Sequence, residues 1–171
     1  SKVAADYVAL QAFLGYEQHV VRARPFNHLG PGQTDKFVAP ALASRVAANE
    51  IEGNSVVRVG NLSPQRDFTD VRDVVRAYRL LVDKGHAGQV YNVCSGTAIP
   101  VQDLAERLIS MAQIPMTLEP DPDLQRPVDI PILLGDSSRI LADTGWKPEI
   151  PLDQTLEDLL NDRRKRLQAE A

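Results

Sequence analysis

Two hydrophobic periods alternate along this chain, and they divide it into helices and strands. Val3, Tyr7, Leu10 and Leu14 recur at helical spacing and predict an amphipathic helix from Ser1 to about Leu14, ended by Gly15. Ser1 is its one available cap, so either Ser1 caps the helix or the chain begins inside it. "EQHVVRARPF" reads as a short strand with a Val-Val centre, stopped by Pro25, and "NHLGPGQTDK" as a loop rich in Gly, Pro and Asn. A second helix follows through Phe37, Ala41, Leu42 and Val46 to about Ala48. After a Gly53-Asn54 turn, "SVVRVG" has the alternation of a strand.

"RDFTDVRDVVRAYRLLVDKG" is the best-punctuated segment. Thr69 or Asp70 caps it, Val71, Val74, Val75, Tyr78, Leu81 and Val82 form an apolar stripe, and Gly85 ends it. "GQVYNVCSG" has the form of a buried parallel strand between glycines. Then come a helix over "VQDLAERLISMAQ", a strand over "MTLEP", a proline-rich segment, a short helix between Asp136 and Gly145, and a last helix from about Leu152. Helices alternating with strands predict an α/β protein with a mostly parallel sheet.

Composition narrows the function. With 171 residues, 43% hydrophobic and 25% charged, the chain is long enough to bury a core. A formal charge of -4 and a pI near 5.4 argue against general binding to nucleic acid or to a membrane surface, both of them anionic. The basic run Arg163 to Arg166 closes a helical pattern and reads as a solvated helix end. A single cysteine, Cys94, makes no internal disulfide and fits a reducing cytoplasm. His19, His28 and His86 lack metal-ligand spacing with it, and there is no G-x-S-x-G elbow.

Candidate chemistry gathers at few positions. "RPFNHLGPGQ" leaves a predicted parallel strand at its carboxyl end, where open α/β sheets bind ligands; it is either such a loop or a tight turn. Arg66 and Arg126 sit at junctions, where paired guanidinium forks suit a diphosphate and isolated ones suit surface ion pairs. Lys2 alone is an ordinary surface lysine. No Tyr-x-x-x-Lys occurs in the chain, and a tyrosine so related to Lys2 would lie before Ser1.

In order and spacing, "SK" before a helix, "RPFNHLGPGQ", "VGNLSPQRDFTDVRDVVRAY", "GQVYNVCSG", "RPVDIP", "GDSSRI" and "TGWKPEIPLDQTL" resemble the extended short-chain dehydrogenases/reductases of nucleotide sugars, the epimerase/dehydratase family. The likeness is strongest to the branch that reduces GDP-4-keto-6-deoxy-mannose, and it covers the C-terminal half of such an enzyme. It implies half of a Rossmann-like parallel sheet with a small α/β substrate-binding domain. Residues 1–30 and 60–98 would belong to the dinucleotide-binding domain, and 31–59 and 99–171 to the nucleotide-sugar-binding domain.

The resemblance also implies roles. Lys2 matches the lysine that holds the nicotinamide ribose of NADP or NAD and lowers the pKa of the catalytic tyrosine. Pro25 and Asn27 match residues beside the nicotinamide and the sugar diphosphate, Val38 a nucleotide-contacting position, Asn61 one facing guanine, and Arg66 and Arg126 the arginines on the diphosphate. Hydride transfer to the C4 ketone of the GDP-sugar would yield GDP-rhamnose. A GDP-mannose 4,6-dehydratase, another nucleotide-sugar epimerase, a non-catalytic nucleotide-sugar-binding module and a structural partner are the alternatives. The Gly-rich dinucleotide loop and the tyrosine are absent, so the chain alone is expected to be inactive and to associate as a homodimer or with an N-terminal half.

Overall fold

Asp70 sets the start of the best-punctuated helix, accepting the Arg72 N–H at 2.7 Å, and the other elements follow comparable local signals. In the computed structural model, which describes residues 1–125 and 130–170, the order is α1 (Lys2–Tyr16), β1 (Arg22–Pro25), β2 (Asn27–Leu29), α2 (Val38–Glu52), β3 (Val56–Val59), β4 (Gln65–Asp70) and α3 (Val71–Lys84). Then come β5 (Val90–Val93), β6 (Ala98–Pro100), α4 (Val101–Ser110), β7 (Thr117–Pro120), a 3-10 turn (Pro122–Leu124), β8 (Ile132–Leu133), α5 (Ser138–Thr144) and α6 (Leu152–Glu170). Gly53 and Gly145, at φ of 75° and 76°, close α2 and α5 in the left-handed region that other residues enter at a cost.

The strands pair mostly in parallel. β1 lies along β5 from Arg22 opposite Val90 to Pro25 opposite Val93, and Phe26 donates its N–H to the Val93 carbonyl at 2.9 Å. One residue later the chain changes neighbours, and β2 pairs with the second half of β4, Asn27 opposite Phe68. The first half of β4 pairs with β8 in parallel and with β6 antiparallel, while β3 and β7 form a separate parallel pair. The expected α/β class is therefore the observed one.

Two apolar clusters hold these layers. Leu42, Val46, Val57, Leu104, Leu108, Leu156 and Leu159 unite α2, β3, α4 and α6, and Val74, Leu81, Tyr91, Val93, Ile140 and Trp146 unite α3, β5, α5 and the segment after α5. The basic run is stitched into the first layer. Arg164 grips Glu50 at 2.6 and 2.8 Å, Arg163 bonds the Gln33 carbonyl and pairs with Asp35, and Arg166 pairs with Asp162.

Four local expectations are corrected. α1 runs through Gly15 and ends at Glu17, which takes φ 53°, because a helical glycine costs stability without forcing termination. Asn27–Leu29 is a strand, since β4 supplies a parallel partner that a composition-based loop reading cannot see. β4 itself, "QRDFTD", lacks an apolar run because its buried polar groups Asp67 and Asp70 are satisfied by hydrogen bonds. Finally, the apolar stripe of α1 has no buried member: Val3, Tyr7 and Leu14 are all more than half exposed.

Candidate functional site

A cavity of about 500 Å³ opens between the start of α2, the segment after β3 and the 3-10 turn. Val38 begins α2 here, after Phe37, whose side chain makes no capping bond. Uncapped first-turn N–H groups together with the helix dipole make such an end attractive to an anion. Lys36, Arg45 and Arg66 bring cations to the same cavity. Leu42, Val59, Leu62 and Leu124 give it apolar walls. The arrangement suits a ligand with one flat apolar part and one strongly anionic part.

Arg66 projects from the first half of β4. One of its terminal nitrogens donates to the Gln65 carbonyl at 2.7 Å and to the Pro131 carbonyl at 3.3 Å, and among the described residues its other guanidinium N–H groups meet no acceptor. The strand beneath is fixed by Asp67, fully buried, whose carboxylate accepts from Ser95 N and Oγ at 2.7 Å each, from Gly96 N at 2.9 Å and from Gly135 N at 3.3 Å. One carboxylate thus joins β4 to the turn after β5 and to the turn before α5. Beside it, Cys94 is buried, and that burial, with the Asp67 charge adding to it, pushes its thiol up to about 11.

Of the residues singled out in the sequence, Val38, Asn61 and Arg66 converge on this cavity from three separate segments. Pro25 and Asn27 lie outside its lining, at the point where the chain passes from β5 to β4. Lys2 is exposed on the first turn of α1. α1 runs antiparallel to β1, because Phe13 packs at Gly88, before β5, whereas Asp6 bonds Arg22 and Arg24 farther along β1. Lys2, one turn beyond Asp6, therefore lies toward the carboxyl ends of β1 and β5, the end at which Pro25 and Asn27 sit. Arg126 lies outside the described residues; Leu124 and Ile130, on either side of its segment, both line the cavity.

Lys36, Arg45 and Asp123 went unread in the sequence. Lys36 and Arg45 were legible only as ordinary surface charges. Asp123 was concealed in "DPDLQ", whose one signal was the proline that starts a turn. Among the described residues no group of three His, Cys, Asp or Glu side chains is placed to hold a metal ion, and no helix is long and apolar enough to cross a membrane.

The chain is similar to several known proteins. The GDP-6-deoxy-D-mannose reductase of Pseudomonas aeruginosa is 40% identical over 99% of this chain and 56% of its own length. The GDP-6-deoxy-D-talose 4-dehydrogenase of Aggregatibacter actinomycetemcomitans is 30% identical over 69% of the chain and 39% of its own length. The structure of RMD from Pseudomonas aeruginosa complexed with NADPH superposes with a TM-score of 0.89 at 39% identity, covering 96% of this chain and 55% of that one. This chain spans about half the length of the relatives it matches. Residues 1–159 match the family model described as GDP-mannose 4,6 dehydratase, and the chain belongs to that family.

Proposed function

We propose that this chain is the nucleotide-sugar-binding part of a cytoplasmic oxidoreductase that reduces the C4 ketone of GDP-4-keto-6-deoxy-mannose to GDP-rhamnose with NADPH or NADH. The observation that carries the reading is the convergence of Val38, Asn61 and Arg66 on one cavity at an uncapped helix start. In this assignment the α2 N-terminus and Arg66 take the diphosphate, and the apolar walls take the base. Residues 31–59 and 99–171 belong to this nucleotide-sugar unit, and 1–30 with 60–98 to the dinucleotide unit. Arg126 completes the grip on the diphosphate.

Lys2 and the Pro25–Asn27 segment fit a nicotinamide cofactor: Lys2 offers an exposed ammonium on the first turn of α1, and the chain passes from β5 to β4 between Pro25 and Asn27. A bound nicotinamide supplies the hydride. Lys2 holds its ribose and, as a cation, lowers the pKa of a nearby phenol. A tyrosine four residues before Lys2 on a helix would be that phenol, and no residue of this chain occupies the position. Binding of the nucleotide is the activity that the cavity residues carry in this assignment. The chain's partner is the polypeptide or second copy that covers α1.

The name of the matched family favours a second reading, a GDP-mannose 4,6-dehydratase. The 40% identity to a reductase supports the first. Calorimetric titration of the chain with GDP tests the site common to both. Saturable binding, weakened about tenfold or more by Arg66→Ala, is expected; absence of GDP binding would overturn the assignment. Reduction of the keto sugar after co-expression with an N-terminal half, without dehydration of GDP-mannose, separates the two.

A further inference from the structure

Gly60 lies so close to the Leu124 carbonyl that a Cβ on it would collide with that oxygen, and Asp121 donates its N–H to the Val59 carbonyl at 2.8 Å. The segment after β3 and the 3-10 turn are therefore clamped together on one wall of the cavity. Each contributes one polar side chain to the lining beside that clamp, Asn61 from the first and Asp123 from the second.

Their hydrogen-bonding characters are opposite. Ser63 donates its backbone N–H to Asn61 at 2.9 Å, and because an N–H can only donate, the atom it meets is Oδ1. That bond orients the amide and leaves the two N–H groups of Nδ2 as donors. Asp123 directs only its backbone N–H to Asp121 Oδ1, at 2.9 Å. Its carboxylate is exposed and has no partner among the described residues, so it is a pure acceptor at the cavity wall.

We propose that Asp123 is the residue that selects guanine over other bases: its carboxylate accepts the purine N1–H and 2-amino group while the Asn61 amide donates to O6. The proposal rests on the guanine-nucleotide reading above. Guanine is the common purine whose edge sets an acceptor beside two donors. Adenine presents an amino donor beside an acceptor nitrogen, which a carboxylate repels. Uracil and thymine offer one donor between two carbonyls. The cations and the helix start gather phosphate in the same cavity, so the base is left to the wall shared by Asn61 and Asp123.

The test is calorimetric titration of the chain, and of its D123N and D123A variants, with GDP, IDP and ADP, with a thermal melt of each variant to verify folding. IDP lacks only the 2-amino group. The wild type is expected to prefer GDP over IDP by about tenfold or more and to discriminate further against ADP, because IDP gives the Asp123 carboxylate one donor fewer and adenine sets an acceptor nitrogen against it. In D123N and D123A the GDP-to-IDP preference should fall to within about threefold, with both nucleotides bound more weakly and GDP losing more, because IDP shares only the N1–H contact to the carboxylate. Equal wild-type affinity for GDP and IDP overturns the proposal without reference to any variant. Preference retained in both variants overturns it too and leaves the GDP-sugar reading intact. No binding of GDP to the wild type overturns both.

Discussion

Asp67 accepts both the backbone N–H and the hydroxyl of Ser95, each at 2.7 Å, and neither residue touches the cavity that Arg66 lines. The pair nonetheless decides where Arg66 stands. With Gly96 and Gly135 as further donors, Asp67 fixes β4 against the turns that follow β5 and β8, and Arg66 is its immediate neighbour. Asp67→Ala would leave these donors without an acceptor and is predicted to destabilise the fold by about 3 kcal/mol, read as a lower urea midpoint. A midpoint unchanged from wild type would show that water replaces the carboxylate.

Acid should unfold this protein through two carboxylates. The Arg164 guanidinium holds Glu50 below the usual range against the opposing effect of burial, helped by the Gln113 N–H. For Asp70 burial is the largest influence and raises the pKa, but bonds from Arg72 and Thr155 together outweigh it and hold the carboxyl low. Folded pKa values below the ordinary 4.5 and 3.8 mean that the folded chain binds fewer protons than the unfolded one. The resulting stability is present above those values and is lost as pH falls through the folded ones. Urea melts in steps from about pH 7 downward should show Glu50→Gln less stable than wild type above the ordinary 4.5, with the difference shrinking progressively as pH falls below it. A constant difference between the two would rule out this linkage.

The open stripes of α1 and α3 predict association. Val82 is 80% exposed and Tyr7 64%, on the two helices that flank β1, and β5 is the single ladder partner of β1 among the described residues. Apolar faces and a free strand edge of this kind recruit another surface. Sedimentation velocity should show the mean size rising with concentration, and Tyr7→Asp with Val82→Asp should suppress the rise without lowering the melting temperature by more than a few degrees. A wild-type monomer at all concentrations would mean that these faces are tolerated as they stand.

The same features show how much the sequence disclosed. Helices α2 to α6 were legible because apolar period and terminal punctuation agreed, as in Asp70 and Gly85 around α3. β4 was not, since Asp67 and Asp70 look like loop residues until their buried partners are known. Asn61 and Val38 were found through resemblance and Arg66 by its place at a junction, and spacing alone could not have joined them, because the cavity is made by three segments that meet only in three dimensions. Asp123 carried no signal beyond the neighbouring proline that starts a turn. Its significance comes from the contact between Gly60 and Leu124, a long-range relationship that no local pattern encodes.

That contact yields the last prediction. Gly60 has no side chain where the Leu124 carbonyl approaches, and backbone cannot swing aside as a flexible side chain would. In Gly60→Ala the 3-10 turn must therefore move outward, stretching the Asp121-to-Val59 hydrogen bond and the Arg58–Asp121 pair at 4.0 Å. Overpacking of this sort costs about 1–3 kcal/mol where it is buried, and less at a surface turn that can yield. Base contacts are more sensitive, because hydrogen bonds weaken steeply once distance and angle leave their narrow optimum. GDP affinity should then fall by about tenfold while the chain still melts cooperatively near the wild-type temperature. Loss of stability with unchanged affinity would place the turn in the scaffold alone and remove it from the binding wall.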